Sequence, residues 1–452
     1  MTKRINMLEG NINKVLIGLA LPIIASNFVQ TAYGLIDMIW IGRVGPDAIS
    51  AIGTANFYVN LAAGIVSIIV IGSGIRIAQM LGADKHEDAS TYTKNAMVFT
   101  TILAVIVAAI LFMTSKNLIN FFNMNNPAVE GMSVSYLRHA LVGIPFMFLS
   151  TLITTILTSY GNTKLTFKAN TIGLLLNIVL DPIMIFGFAG FPTFGVVGAA
   201  WATTISRIVA VAILIYFSNH EIIASFKAKM NLAKLKDVVH ISLPATAQTL
   251  IFTAISMVIG RLIIEFGTDA IATQKIGIQI ESITWVTIGG LQGAISAFVG
   301  QNFGANKYDR IDKGYHSALR IVTVFGLVIT GIFLLFPKPI FSIFVSDSHV
   351  IDMGVGYMTA IAFSQVFMCF EMLSVGAFNG MGKTYAPPLV SIVFTSLRIP
   401  IAIFLKPYLG LSGIWWAISI TSVFKGVILL VWYEILLKRL RENPTELQNK
   451  TA

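Results

Sequence analysis

The chain has 452 residues, 56% of them hydrophobic and only 12% charged, with a formal net charge of +10. Soluble domains carry about a quarter charged residues, so this composition excludes a soluble globular protein and leaves an integral membrane one. The surplus of cations reads as loop charge on one side of a membrane rather than as a nucleic-acid surface, and the single cysteine, Cys369, excludes an intrachain disulfide.

Apolar runs of about 20 residues, enough to cross a bilayer, recur along the whole chain. They are apolar all round rather than alternating, which argues against a closed barrel. Twelve helical spans are expected, at roughly 15–41, 50–75, 95–114, 134–160, 166–188, 194–217, 239–265, 270–300, 317–336, 354–380, 386–406 and 410–437. The first run, Val15 to Ile41, is too long for a signal core and has no small-residue cleavage site. It carries Pro22, Tyr33, Asp37 and Met38. The fifth span carries Asn177, Asp181 and Pro182, and the sixth Thr203, Thr204 and Arg207. The longest loop, 218–238, holds Lys227, Lys229, Lys234 and Lys236. Beyond it lie Pro244 and Met257 in the seventh span, Glu281 in the eighth, Glu371 in the tenth, and Arg398 and Lys425 in the last two. Arg261, Glu265 and Lys275 sit near span ends, where long side chains reach water.

Cations set the orientation. With the N-terminus in the cytoplasm, Lys3, Arg4, Lys14, Lys85, Lys94, Lys164, Lys168, the loop lysines, Lys307, Arg310, Lys313, Lys383, Lys438, Arg439 and Arg441 fall inside. The outer loops keep Arg43, Lys116, Lys275, Lys338 and Lys406. Both termini are then cytoplasmic, as an even span count requires, and the expected place is the cell membrane.

The chain repeats itself. Leu21-Pro22 recurs as Leu243-Pro244, a shift of 243 − 21 = 222. Gly45, Asp47, Ala48 and Ile49 match Gly267, Asp269, Ala270 and Ile271 at that shift, and Gln79, Gly82, Ala83 and Lys85 match Gln301, Gly304, Ala305 and Lys307. Later, Gly195, Gly198, Trp201 and Ala202 match Gly410, Gly413, Trp416 and Ala417, a shift of 410 − 195 = 215. Six spans per half make this a parallel repeat about an axis along the membrane normal. The expected fold is all-α, twelve transmembrane helices in two pseudo-symmetric lobes: 1–217, a cytoplasmic linker at 218–238, and 239–452. Transporters with such repeats bind at the lobe interface and rock to expose it to each side in turn.

A mid-span carboxylate costs at least ~2.5 kcal/mol on the insertion scale, so Asp37 and Asp181 need a reason. The repeat does not mirror them: Asp37 shifted by 222 is Ile259, and the partner of Asp181 falls near Ile399-Pro400. The alternative is an acid that ties helices together through a base, with Arg207 the nearest candidate. Desolvation favours the protonated form of a carboxyl group, so a buried acid can load a proton on one side and release it on the other. Asn177 lies one helical turn before Asp181 on the same face, and Thr203 or Thr204 adds a hydroxyl from the next span. The same oxygens could hold Na⁺, and the residues alone leave H⁺ and Na⁺ both open. Pro22 and Pro244 free carbonyls and permit bends. Glu281 and Glu371 could line a cleft for a cationic substrate, with Arg398 and Lys425 available to neutralise them; Tyr33, Met38 and Met257 suit an adaptable apolar wall. No catalytic motif stands out. GAFNGMGKT (376–384) misses the phosphate-loop pattern, with Ala377 where glycine is needed. An enzyme is therefore not expected, nor a cofactor beyond the coupling ion.

Several motifs resemble the multidrug and toxic compound extrusion (MATE) family: LIDMIWIGRVGPDAISAIG (35–53), IAQMLGA (77–83) with its copy VGQNFGA (299–305), NIVLDPIMIFGF followed by GVVGAAWAT (177–203), and FNGMGKT after the tenth span. The resemblance covers nearly the whole chain. It implies an antiporter that exports amphipathic, often cationic drugs in exchange for H⁺ or Na⁺. It matches Asp37 and Asp181 to the first- and fifth-span acids of an N-lobe ion site, Asn177 to its amide and Thr203 to its hydroxyl, most like the DinF-like branch. The NorM-like branch stresses acids in the seventh, eighth and tenth spans. Here Glu281 fits the eighth and Glu371 falls in the tenth, but the seventh has only Glu265 at its end. A lipid-linked oligosaccharide flippase would be expected to have extra spans and a cationic cleft, and a membrane scaffold or sensor would not need the acids. The partners expected are small-molecule drugs or organic cations and membrane lipid, with the chain working as a monomer.

Overall fold

The computed structural model describes residues 4–122 and 126–442. Lys3 and the tail beyond residue 442 lie outside the described residues. Among those described, the regular structure is helical, with no strand. The helices are α1 (Ile12–Gly42), α2 (Pro46–Ile65), α3 (Ser67–Gly82), α4 (His86–Asn120), α5 (Pro127–Val142), α6 (Ile144–Ser159), α7 (Thr163–Phe186), α8 (Val196–Phe217), α9 (Leu232–Ile264), α10 (Thr268–Gly304), α11 (Tyr308–Leu335), α12 (Pro337–Ser342), α13 (Ser348–Gly380), α14 (Ala386–Leu409) and α15 (Leu411–Glu442).

Eleven of the described segments are long and apolar enough to cross a membrane, α2 and α3 together counting as one. The pair α5 and α6, bent by 46°, brings the number to twelve. The bend falls at Gly143, where α8 comes so close that a Cβ would stand 2.7 Å from Thr204 Oγ1. Most helices overrun the expected spans. For α11 the apolar run begins near residue 317, yet the helix starts at Tyr308. Its first turns carry Asp309, Arg310 and Lys313, which belong in water. Hydropathy sees the lipid-facing length of a helix and not its wet ends.

The chain forms two compact units, Met1–Ile5 with Leu21–Ser242, and Asn6–Ala20 with Leu243–Ala452. Each boundary inside a helix falls at a copy of the repeated Leu-Pro: before Leu21 in α1 and before Leu243 in α9. In the first unit, the start of α9 is held to α3 and α4 by polar bonds. Arg76 grips both oxygens of Asp237 at 2.6 Å, and the Tyr92 hydroxyl donates to Asp237 at 2.9 Å. Asn95 donates to the Asn231 carbonyl at 2.6 Å. An apolar core including Phe148, Leu152, Ile156 and Leu214 fills the middle of this unit. In the second unit α13 is the central helix, and its Tyr357 is buried in one cluster with Trp415 and Phe341.

The repeat is written in the backbone. Asp84 and Asn306, related by 306 − 84 = 222, both take left-handed φ values, 60° and 57°. Asp and Asn tolerate that region better than other side chains. Gly195 (φ 53°) and Gly410 (φ 56°) open α8 and α15. In each hairpin so formed a second glycine seats the helix: a Cβ at Gly198 would lie 2.3 Å from the Met184 carbonyl oxygen, and one at Gly413 2.8 Å from that of Leu405.

Candidate functional site

In the first unit, α1, α7 and α8 bring four polar side chains together. Asn177 and Asp181 are wholly buried. One turn apart on α7, they are joined by Asn177 Nδ2 donating to Asp181 Oδ1 at 3.1 Å. Asp37, half-buried on α1, accepts from Thr203 Oγ1 of α8 at 3.1 Å. The two carboxyl groups are neighbours that interact electrostatically. Asp37 Oδ1, Asp181 Oδ2 and Asn177 Oδ1 are nevertheless buried with no ordinary donor facing them. Buried polar atoms are rarely left so, and here three lie in one place.

Arg207 acts on Asp37 through its charge. Among the described residues, however, no basic side chain reaches either acid within ion-pair distance. The helix-tying alternative therefore lacks its partner. Tyr33, one turn before Asp37, is buried with its hydroxyl over α7, where a Cβ on Gly173 would come within 2.3 Å of it. Glycine at 173 makes that contact possible. Met38 is 47% exposed and lies outside the packed core.

The candidate residues of the second unit form a separate network. Glu281 of α10 accepts from the Tyr357 hydroxyl at 3.1 Å and from Gln365 Nε2 at 3.0 Å, both on α13. Glu371, further along α13, is paired with Lys425 of α15 at 2.9 Å and accepts from Ser391 Oγ at 3.1 Å. With its charge neutralised, Glu371 is not a lone acid awaiting a cation. Arg398 of α14 donates to Thr421 and Ser422, each at 3.1 Å. A cavity of about 150 Å³ lies beside the Glu371–Lys425 pair and is also lined by Phe252, Trp285 and Thr395. Met257 is 61% exposed and does not line it.

Three contributors escaped the reading of the sequence. Tyr136 of α5 is buried within electrostatic reach of both Asp37 and Asp181. Tyr357 and Gln365 hold Glu281. An amide such as Gln365 inside an apolar run was the available signal, because it must find a partner there.

The MatE family model matches this chain twice, over residues 22–183 and 244–404. The matches start 244 − 22 = 222 residues apart, the spacing of the internal repeat. A probable multidrug resistance protein NorM from Thermotoga maritima is 27% identical over 93% of this chain and 92% of its own. An FAD transporter from Shewanella oneidensis is 25% identical over 94% and 95%. A solved multidrug resistance MATE family transporter of the MOP superfamily, in an outward-facing conformation, shares the fold at a TM-score of 0.89. It is 23% identical and is matched over 97% of this chain and 99% of that one.

Proposed function

Because this chain belongs to the MatE family, whose members are transporters and not enzymes, we propose that it is a secondary antiporter exporting amphipathic, often cationic compounds in exchange for protons by alternating access. The observation that carries the reading is the buried neighbourhood of the Asp37 and Asp181 carboxyls, with orphaned oxygens and, among the described residues, no basic side chain within ion-pair distance. Two carboxylates sharing one site cannot both ionise freely. The pair therefore retains a proton while shielded from water and can surrender it when solvent reaches it. Thr203 and Asn177 hold the two carboxyls in place, one each. Na⁺ is the other ion that such oxygens could take, and the site set resembles the DinF-like branch.

We also propose the cell membrane as the site of action, cytoplasmic termini, lobes at 1–217 and 239–452 joined by the 218–238 linker, and action as a monomer. Glu281 is the acid proposed to favour cationic cargo. Transport into proteoliposomes with an imposed pH gradient or an imposed Na⁺ gradient, one at a time, tests the coupling. Ethidium and FAD serve as cargoes, the second because a relative carries that name. Movement driven by the pH gradient alone supports the proposal. Movement with Na⁺ alone reassigns the ion, and movement with neither removes the antiport reading.

A further inference from the structure

We propose that a groove at the wet end of the second unit binds the phosphate headgroup of an anionic phospholipid. The groove, about 520 Å³, runs between the start of α1 (Gly10, Asn11, Asn13) and the first four turns of α11 (Arg310, Lys313, Arg320). Its wall on the α1 side is fixed. Each nitrogen of Arg310 is engaged there, donating to the carbonyls of Met7 at 2.9 Å, Glu9 at 2.6 Å and Gly10 at 2.9 Å. Asn302 and Lys307 donate to the Met7 and Leu8 carbonyls at 3.1 and 3.0 Å, and Ser317 is hydrogen-bonded to Asn13.

Lys313 and Arg320 are left over. Both are exposed, and among the described residues neither has a carboxylate within ion-pair distance. The groove holds one acid, Asp309, in the first turn of α11, where it complements the helix dipole. Lys313 and Arg320 are seven residues apart, hence on one helical face and about 10 Å along the axis. That same face continues as Val324 and Leu327, 63% and 58% exposed. Ile17, one turn beyond Asn13 on α1, is 45% exposed. Two free cations above two apolar walls make an amphiphile-shaped groove, and Arg320 stands where the apolar span of α11 begins. Basic pockets between helices at the membrane boundary select anionic headgroups.

The repeat argues that the scaffold does not require these cations. Shifted by 222, positions 310, 313 and 320 become Asp88, Thr91 and Val98. The equivalent helix starts in register, at His86 against Tyr308. The cations belong to one half only, as a binding feature would.

The test is native mass spectrometry of the purified full chain titrated with phosphatidylglycerol, phosphatidylcholine or glycerol phosphate. The wild type is compared with the double variant Lys313→Gln/Arg320→Gln, the charge-keeping Lys313→Arg/Arg320→Lys and the linker control Lys227→Gln/Lys229→Gln. Phosphatidylglycerol is expected to bind the wild type, the charge-keeping variant and the control alike, and the Gln pair about 30-fold more weakly, from about one lost cation's worth of attraction at each position. Equal retention of phosphatidylglycerol and phosphatidylcholine overturns the proposal, as does undiminished binding to the Gln pair. Glycerol phosphate binding as tightly as the lipid overturns the lipid assignment and leaves a soluble-phosphate site.

Discussion

Exchanging Asp37 for Asn keeps the size and shape of the side chain while removing its proton site. Asp37 and Asp181 are neighbouring carboxyls, and two carboxyls that share a proton stand about 3 Å apart. Two full negative charges at that distance repel by about 5 kcal/mol at an effective dielectric near 20. This disfavours the doubly charged state by about four powers of ten. An enclosed pair thus keeps a proton, and opening to water is what allows its release. Either Asp37→Asn or Asp181→Asn leaves one acid beside an amide, free of that repulsion and one proton site short. In proteoliposomes with an imposed pH gradient, each variant should lose ethidium transport by at least about tenfold. The double variant should lose no more than either single, because groups that act as a unit are not additive. Thermal melting in detergent should stay level or rise, since a repulsion has gone. A single variant that keeps half the wild-type rate, or a double variant whose loss is the product of the two, would refute the shared-proton reasoning.

Thr203→Val removes the hydroxyl that donates to Asp37 at 3.1 Å. It strands a buried acceptor at a cost of about 1–3 kcal/mol, so pH-driven transport should fall several-fold and return in Thr203→Ser. Lys425→Met leaves the nine-tenths-buried Glu371 without its cation. The melting midpoint should drop as for a loss of about 3–5 kcal/mol, and Lys425→Met with Glu371→Leu should recover most of it; a single variant as stable as wild type contradicts this. Glu281→Gln keeps one acceptor oxygen where two donors, Tyr357 and Gln365, converge. Export of cationic dyes should weaken more than that of neutral ones, and equal loss of both would remove the proposed role of Glu281.

The fold was legible because lipid imposes a coarse rule. An apolar run of span length must be a helix, and the Leu-Pro and Gln-x-x-Gly-Ala copies put two sets of helices in one register. Helix ends were not legible: the wet turns of α4, α11 and α15 look like loops to a hydropathy count. The pairing of Asn177 with Asp181 followed from helical spacing alone. The meeting of Asp37 with Thr203 depended on packing between helices far apart in sequence, and only the family resemblance joined them. Glu371 is the instructive case. Its position in an apolar span suggested a cargo contact, and Lys425 was available to neutralise it or Glu281; which acid Lys425 meets depends on packing across 54 residues, and no local pattern in α13 announces it.

The two halves share turns and hairpins yet differ in how the charges at their candidate sites are partnered. In the second unit the internal charges have partners: Glu371 with Lys425 and Ser391, Glu281 with Tyr357 and Gln365, Arg398 with two hydroxyls. In the first, three oxygens of Asp37, Asn177 and Asp181 are left unsatisfied, each at a cost of about 1–3 kcal/mol. A sequence optimised only for stability would have closed that gap with a base, as the second half did with Lys425, or with apolar side chains, as Ile259 does at the position equivalent to Asp37. The cost is sustainable if the missing partner arrives and leaves during the working cycle. On the proposed antiport reading a proton would meet that condition, satisfying the facing carboxyl oxygens with a single hydrogen bond and departing once water enters.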